Sequence, residues 1–268
     1  SVTEWEIGGE VVRVYVVADG HGNEGQHVAT RIVLTVPEAL REELKAGTPV
    51  ETAIQAAFDR AHGDLIACQL EGSFDILTSG STLSLALVRG DVVTVATVGD
   101  SRVLVGEISR APSGAQANIL LETHDHTPDD PLEQEHIEAH GGAVEVDGCA
   151  RVFRRGRDYP GLAMSRCFGD GTVAVDGIVT HTASVMTFEK TEGKEYFLLL
   201  ASDGVWTHME SHKSLRPVQR WWSNKTRKVP DLKRAVTDLV SDACRLWNNN
   251  GYYCDDITAM LVRLWPPK

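Results

Sequence analysis

The sequence predicts an α+β protein in which antiparallel sheets are covered by helices. Strand-like runs and amphipathic helical runs are each grouped along the chain instead of alternating regularly, which favours this class over a parallel α/β fold. With 268 residues, 42% of them hydrophobic, the chain can build one large core or two modest ones. No repeat or linker divides it, so we expect a single compact domain over residues 1–268.

The first half of the chain predicts a strand, then helical material, then further strands. Residues 11–18 are rich in valine and stop at Asp19-Gly20, which is typical of a buried strand ending in a turn. Apolar residues recur at three- and four-residue steps over 50–69, the pattern of an amphipathic helix. Three β-rich runs separated by turn residues occupy 81–107, which predicts a short antiparallel meander.

The second half mixes helices with apolar strands. A helix is predicted over 129–140, because an aspartate can cap its start and Gly141-Gly142 would end it. The remaining predicted elements are strands at 161–164, 195–201 and 257–264, and a mostly helical region over 210–247.

The composition argues against several classes of protein. The 26 Lys and Arg residues against 38 Asp and Glu give a formal charge of −12, which disfavours a nucleic-acid-binding surface. No stretch approaches the roughly 20 apolar residues that span a bilayer, and the first ten residues lack the pattern of a secretory signal. The chain does not begin with Met, so we expect a trimmed form.

The cysteines bear on the compartment. They are odd in number and contain no C-x-x-C pair, which argues against a disulfide framework or a zinc site. We therefore expect an intracellular protein, cytoplasmic or nuclear. We also expect a monomer that binds neither membranes nor nucleic acid. The five are Cys68, Cys149, Cys167, Cys244 and Cys254.

Acidic residues mark the ends of the apolar strands. An isolated Asp-Gly pair is most often only a turn. Four acidic sites that converge at one edge of a sheet would repel one another, and only protonation or a cation makes such a cluster tolerable. Hard oxygen ligands favour Mg²⁺ or Mn²⁺. The four sites are Asp19-Gly20, Gly99-Asp100, Asp203-Gly204 and Asp255-Asp256.

Gly20 and His21 follow the first of these aspartates directly. A glycine beside a ligand aspartate allows the backbone carbonyl to approach a metal ion closely. An imidazole at His21 is placed to donate a proton to a leaving oxygen. A lone histidine is more often inert, and this one is favoured by its neighbours.

Seven further motifs accompany D-G-H-G at Asp19–Gly22, and in this order along the chain they resemble the PPM (type 2C) family of metal-dependent serine/threonine protein phosphatases. His136 stands where the family's helix motif has arginine. The motifs are Gly80-Ser81-Thr82, V-G-D-S-R at 98–102, T-H-D-H at 123–126, the helix motif at 133–142, L-A-M-S-R-C-F-G-D at 162–170, L-A-S-D-G-V-W at 200–206 and D-D-I-T at 255–258.

The resemblance implies an αββα sandwich, two antiparallel sheets flanked by helices, with a metal site at one end. It also implies two Mg²⁺ or Mn²⁺ ions held by Asp19, the carbonyl of Gly20, Asp203 and Asp255, with His21 as the catalytic proton donor. Water activated between the ions would hydrolyse phosphoserine and phosphothreonine in phosphorylated protein substrates. A catalytically silent scaffold on the same fold is the alternative hypothesis.

Several positions depart from the family pattern. The family's R-x-x-M-E-D segment, expected before the D-G-H motif, is absent from the printed sequence, so we expect the domain to lack that segment. Thr207 stands where a ligand of a third metal is usual, which leaves Asp100 either structural or part of a third site. Asp256 replaces an asparagine beside Asp255, and the motif position favours Asp255 as the ligand.

Two arginines and a basic stretch remain. Arg102 and Arg166 lie in matched motifs, where they either position phosphate or pair with aspartates such as Asp170 or Asp100, and we interpret them as structural. The basic stretch at 213–234 holds two tryptophans and is either a docking surface or a solvated face.

Overall fold

The computed structural model describes residues 1–111, 114–157, 161–222, 229–251 and 253–265. Its strands are β1 Val2–Ile7, β2 Glu10–Val17, β3 Gly20–His21, β4 Gly80–Ser81, β5 Leu83–Arg89, β6 Val92–Val98, β7 Arg102–Ala111, β8 Gly114–Glu122, β9 Gly142–Asp147, β10 Cys149–Arg154, β11 Phe168–Gly169, β12 Ser184–Glu189, β13 Glu195–Ala201 and β14 Ala259–Leu264. Its helices are α1 Gly25–Lys45, α2 Val50–Leu70, α3 Pro131–Ala139, α4 Gly171–Ala174, α5 Asp203–Trp206, α6 Ser211–Trp222 and α7 Leu232–Asn249.

Two antiparallel sheets face each other at the centre. One has the strand order β1-β2-β5-β6-β12, and the other has the order β14-β13-β7-β8. Tyr15 and Val95 from the first sheet share a buried apolar cluster with Leu198 and Leu200 from the second. Successive strand residues point to opposite faces, so the remaining apolar residues of each sheet face outward and need cover.

Helices supply that cover on both outer faces. Phe58 of α2 lies in one apolar cluster with Val14 of β2, together with residues of α1. Leu239 of α7 lies in another with Leu199 of β13 and residues of α6. The predicted αββα sandwich is confirmed. Among the described helices, none is both long and apolar enough to cross a membrane.

The predicted meander over 81–107 is wrong in one respect. Strands β5 and β6 pair with each other as expected, but β7 pairs with β8 and β13 in the opposite sheet. The connection through Gly99 and Asp100 therefore crosses from one sheet to the other. Apolar residues on both faces of these strands are buried in the sandwich, so residue alternation carried no information about which sheet each strand joins.

Two other predicted elements also differ. Residues 161–164 form no strand, and Leu162 makes a single bridge with Val152. The helical region at 210–247 is two helices, α6 and α7, which pack side by side. Part of the basic stretch between them, residues 223–228, lies outside the described residues.

Acid should destabilise this protein through His62. Burial, and then the neighbouring His181 ring stacked 4.1 Å away, lower the pKa of His62 from 6.5 to about 4. The folded state therefore resists protonation of this ring, so its contribution to stability is present above pH 6.5 and lost as pH falls toward 4. Urea denaturation of His62→Gln should show a smaller loss of unfolding free energy between pH 7 and 5 than the wild type.

Exposed His212, which pairs with Glu210 on the surface, offers the control. The variant His212→Gln should follow the wild-type pH profile. Equal profiles for wild type and His62→Gln would contradict the role given to His62.

Candidate active site

A small three-stranded sheet brings three distant motifs together. Its strand order is β11-β4-β3, with Gly20 opposite Ser81 and His21 opposite Gly80. On its other side, Gly80 lies opposite Gly169. The residue after Gly169 is therefore delivered to the same place as His21.

That residue is Asp170, which contacts the candidate proton donor. Its Oδ2 lies 2.5 Å from Nε2 of His21, although the two residues are 149 apart in the chain. Asp170 is only 1% exposed and has a left-handed backbone (φ 48°), and its N–H donates to the Ser79 carbonyl. The Nδ1 atom of His21 is buried and has no hydrogen-bond partner among the described residues. Asp170 is thus a site residue that the sequence did not reveal, since it was expected to form an ion pair with an arginine.

Gly80 leaves the space that this contact needs. A Cβ atom built there would lie 1.9 Å from Oδ2 of Asp170 and 2.6 Å from Nε2 of His21. The variant Gly80→Ala should therefore force the two side chains apart and lower kcat by about a hundredfold, the cost of misplacing a catalytic group by about 1 Å. Steady-state kinetics on a phosphothreonine peptide measures it.

A glycine elsewhere provides the matched control. Gly63 lies inside α2 with nothing within 4 Å of a built Cβ. Gly63→Ala should keep full activity and stabilise the fold by roughly 0.5–1 kcal/mol. Retention of the wild-type kcat by Gly80→Ala would contradict the geometry described for His21.

Asp19 is held at the end of β2 by its own backbone. Its N–H donates to Oγ1 of Thr82 (3.1 Å), and its carbonyl accepts from the Thr82 N–H (2.9 Å) and the Ser81 hydroxyl (2.9 Å). These bonds satisfy the main chain, so the carboxylate is left for the site. Exposed Gly20 follows, with its backbone packed so closely against Gly25 that a Cβ on either residue would collide.

Asp203 and Asp255 come from the neighbouring sheet. Asp203 begins α5 directly after β13, and exposed Asp255 precedes β14, the strand paired with β13. The Asp256 carbonyl accepts from the Ser202 hydroxyl at 3.2 Å and lies where a Cβ on Gly204 would collide with it. The backbone that directly follows Asp255 is therefore fixed relative to α5.

The carboxylates of this end of the molecule act on one another. Burial, then the charge of Asp203 and a hydrogen bond to it, raise the pKa of Asp19 to about 8, with further contributions from Asp255 and Asp100. Burial and then Asp255 raise the pKa of Asp203. Burial and then Asp203 raise the pKa of Asp100 to about 7. Asp19, Asp203, Asp255 and Asp100, all among the described residues, therefore lie near enough to influence one another's charge, although no three of these carboxylates have oxygens all within 4.8 Å of one another.

Such a set of carboxylates fits divalent cations. Carboxylates that raise one another's pKa stay ionised near neutral pH only when cations balance their charge. Without cations, some of them bind protons instead. Oxygen donors of this kind suit Mg²⁺ or Mn²⁺. Asp255 contributes to the pKa shifts of both Asp19 and Asp203.

His126 fixes the loop that carries Asp100. Burial, and then Arg166, lower the pKa of His126 to about 4, so its ring is neutral near pH 7. Its Nδ1 accepts the Gly99 N–H at 3.1 Å, and its Nε2 lies 2.8 Å from the Ser184 hydroxyl. His126 of the T-H-D-H motif therefore holds the Gly99–Asp100 loop in place next to the carboxylates.

Both motif arginines have other partners than the expected aspartates. Arg102 makes a bidentate pair with Asp125 (2.9 and 2.7 Å), and Arg166 binds Glu133 of α3. The prediction that they are structural agrees with these ion pairs. The predicted partners, Asp100 and Asp170, were wrong. Asp170 contacts His21 instead, and Asp100 interacts with Asp203.

Solved structures show where this fold occurs. A serine-threonine phosphatase 2C from Toxoplasma gondii superposes with a TM-score of 0.71 at 21% identity, covering 94% of this chain and 84% of that one. A C. elegans sex determining protein superposes with a TM-score of 0.72 at 19% identity, covering 96% of this chain and 57% of that one. The chain therefore has the fold that the Toxoplasma gondii phosphatase 2C adopts.

Sequence relatives establish the family. The model of the family described as protein phosphatase 2C matches residues 8–250. A probable protein phosphatase 2C from rice, Oryza sativa subsp. japonica, is 30% identical over 94% of this chain and 75% of its own length. One from Arabidopsis thaliana is 30% identical over 92% and 75%. The chain belongs to the protein phosphatase 2C family and is a protein serine/threonine phosphatase.

Proposed function

We propose that this phosphatase hydrolyses phosphoserine and phosphothreonine in proteins with two Mg²⁺ or Mn²⁺ ions, held by Asp19, the Gly20 carbonyl, Asp203 and Asp255. The observation that carries the proposal is the placement of Asp19 after β2 and of Asp203 and Asp255 at the ends of the paired strands β13 and β14, where burial and the neighbouring carboxylates raise the pKa of Asp19. When bound, the two ions supply an acidified water and neutralise charge on the phosphoryl oxygens.

The chain's own residues handle the leaving group. In this proposal Asp170 accepts the Nε2 proton of His21, which orients the ring. Nδ1, which is buried in the free protein, becomes accessible when substrate binds and exchanges a proton with it. Protonation of the departing serine or threonine oxygen by His21 avoids a free alkoxide, which is a poor leaving group. In this proposal Asp170 is a positioning residue, since it acts through His21.

The surface beside the cluster suits a peptide. A groove of about 720 Å³ borders α5 and β7, and its lining includes Arg102, Glu122, Thr207 and His212. Its open, polar character fits the flanking chain of a phosphorylated protein better than a buried small molecule.

We further propose that the protein acts inside the cell as a monomer, with residues 1–268 as one catalytic domain. The five cysteines are all free, which fits a reducing compartment.

The test is phosphate release from a phosphothreonine peptide by this chain and by an N-terminally extended form, with Mn²⁺, Mg²⁺ or chelator. We expect metal-dependent turnover, with a lower KM in the extended form. Absence of turnover in both forms with every metal, together with no divalent-ion binding by calorimetry, would sink the proposal.

A further inference from the structure

A cluster of potential metal ligands other than the aspartate set lies near Asp100. Within the part of the chain that the structure describes, one group of three His, Cys, Asp or Glu side chains has ligand atoms all within 4.8 Å of one another. It consists of His21, Cys167 and Asp170. The Cys167 thiol donates to Oδ2 of Asp170 at 3.1 Å, and the same oxygen lies 2.5 Å from Nε2 of His21.

The backbone holds these three residues in place before any ion binds. The Cys167 N–H donates to the Thr180 carbonyl (3.1 Å), and the Asp170 N–H donates to the Ser79 carbonyl (3.0 Å). His21 is fixed in β3 by its pairing with Gly80. Three donors on fixed backbone lower the ordering cost of binding an ion, which is the advantage of a preorganised site.

The donor set selects the metal. One thiolate, one imidazole and one carboxylate are ligands that Zn²⁺ binds in tetrahedral sites, whereas Mg²⁺ takes oxygen and avoids sulfur. Ligand atoms around tetrahedral zinc lie about 3.3–3.8 Å apart, so the three side chains would separate by up to about 1 Å. A fourth position would remain for water.

Cys167 has no role in the proposed hydrolysis. Burial, and then the neighbouring Asp170, raise the pKa of the Cys167 thiol well above its ordinary value, so it is a poor nucleophile. The family motif that this segment resembles leaves the Cys167 position unspecified. A bound zinc ion can displace the thiol proton, because coordination itself stabilises the thiolate.

We propose that His21, Cys167 and Asp170 form a site for Zn²⁺ that inhibits this phosphatase, because zinc on Nε2 of His21 replaces the proton shared with Asp170 and keeps the ring from becoming an imidazolium acid. Binding releases the thiol proton and the proton held between His21 and Asp170 to water, and no bond to substrate forms or breaks. The inhibitory consequence rests on the proposed role of His21, but zinc binding does not. The lack of a C-x-x-C pair predicted that there is no zinc site. That prediction considered cysteines alone, whereas this site has one cysteine and takes its other two ligands from a histidine and an aspartate.

Spectroscopy on the intact protein tests the site independently of activity. With Mg²⁺ in excess to occupy the carboxylates, Co²⁺ should give a thiolate-to-cobalt charge-transfer band in the wild type and in Cys68→Ser, a matched buried-cysteine control. Cys167→Ser should lack the band and bind zinc at least about tenfold more weakly in competition with a chromophoric chelator. A band that persists in Cys167→Ser, or equal zinc affinity, overturns the site.

X-ray absorption on the zinc-loaded wild type needs no variant. It should show one sulfur among nitrogen and oxygen ligands, and a shell with no sulfur overturns the site while leaving the proposed function untouched. Zinc should also inhibit the wild type at concentrations at least about tenfold lower than Cys167→Ser, each rate being compared with that of the same protein without zinc. Full activity with zinc bound through sulfur overturns both the inhibition and the role of His21 as proton donor.

Discussion

Asp19→Asn should strongly lower metal-dependent phosphate release and at the same time stabilise the metal-free protein at alkaline pH. Removing the shared carboxylate should lower kcat/KM by on the order of a thousandfold, the upper range for losing one preorganised electrostatic group. The same change removes one of the mutually repelling charges that face Asp203, Asp255 and Asp100. Activity and stability should therefore move in opposite directions.

The sign of the pH effect follows from the raised pKa of Asp19. Its value rises from 3.8 to about 8 in the folded state, so its stabilising contribution is present below pH 3.8 and lost as pH rises toward 8. Asparagine cannot ionise, so the variant escapes this loss. Above pH 8 in chelator we expect it to exceed the wild type by roughly 2 kcal/mol, or about 4–8 °C in Tm.

Thermal unfolding at several pH values, with chelator and with Mn²⁺, measures this difference. Mn²⁺ should raise the Tm of the wild type and leave that of Asp19→Asn nearly unchanged. Exposed Asp129 provides the control, and Asp129→Asn should match the wild type in both activity and Tm. A less stable metal-free Asp19→Asn protein at pH 8.5 would contradict the electrostatic account of the cluster.

His21→Gln should lower kcat on a phosphothreonine peptide by about 10²–10⁴-fold, the usual contribution of a positioned general acid. Asp170→Asn should cause a smaller loss, because it misorients a ring that is still present. Since the two side chains act as one unit through a 2.5 Å contact, the double variant should be no slower than His21→Gln alone.

The choice of substrate separates proton donation from a merely structural role. A p-nitrophenyl phosphate substrate carries a leaving group that needs no proton, so both variants should lose far less activity on it. His27→Gln, at an exposed histidine on α1, should behave as wild type on both substrates. Equal losses on the peptide and on p-nitrophenyl phosphate would remove the proton-donor role from His21.

Local patterns anticipated most of the secondary structure. The α2 helix was predicted at 50–69 and observed as Val50–Leu70, because its apolar residues follow the helical period. Strand β13 was predicted at its observed bounds, Glu195–Ala201. The partners of β7 were not anticipated, since strand pairing depends on contacts between segments far apart in the chain.

The sequence by itself determined the class of fold, the family resemblance and the identity of the aspartates at the strand ends, because strand ends and turn residues are encoded locally. Only the tertiary structure decided which side chains meet. It placed Asp170 against His21 across 149 residues, put Cys167 beside both, and paired Arg166 with Glu133. Such side-chain contacts are set by sheet register and packing, which no single segment specifies.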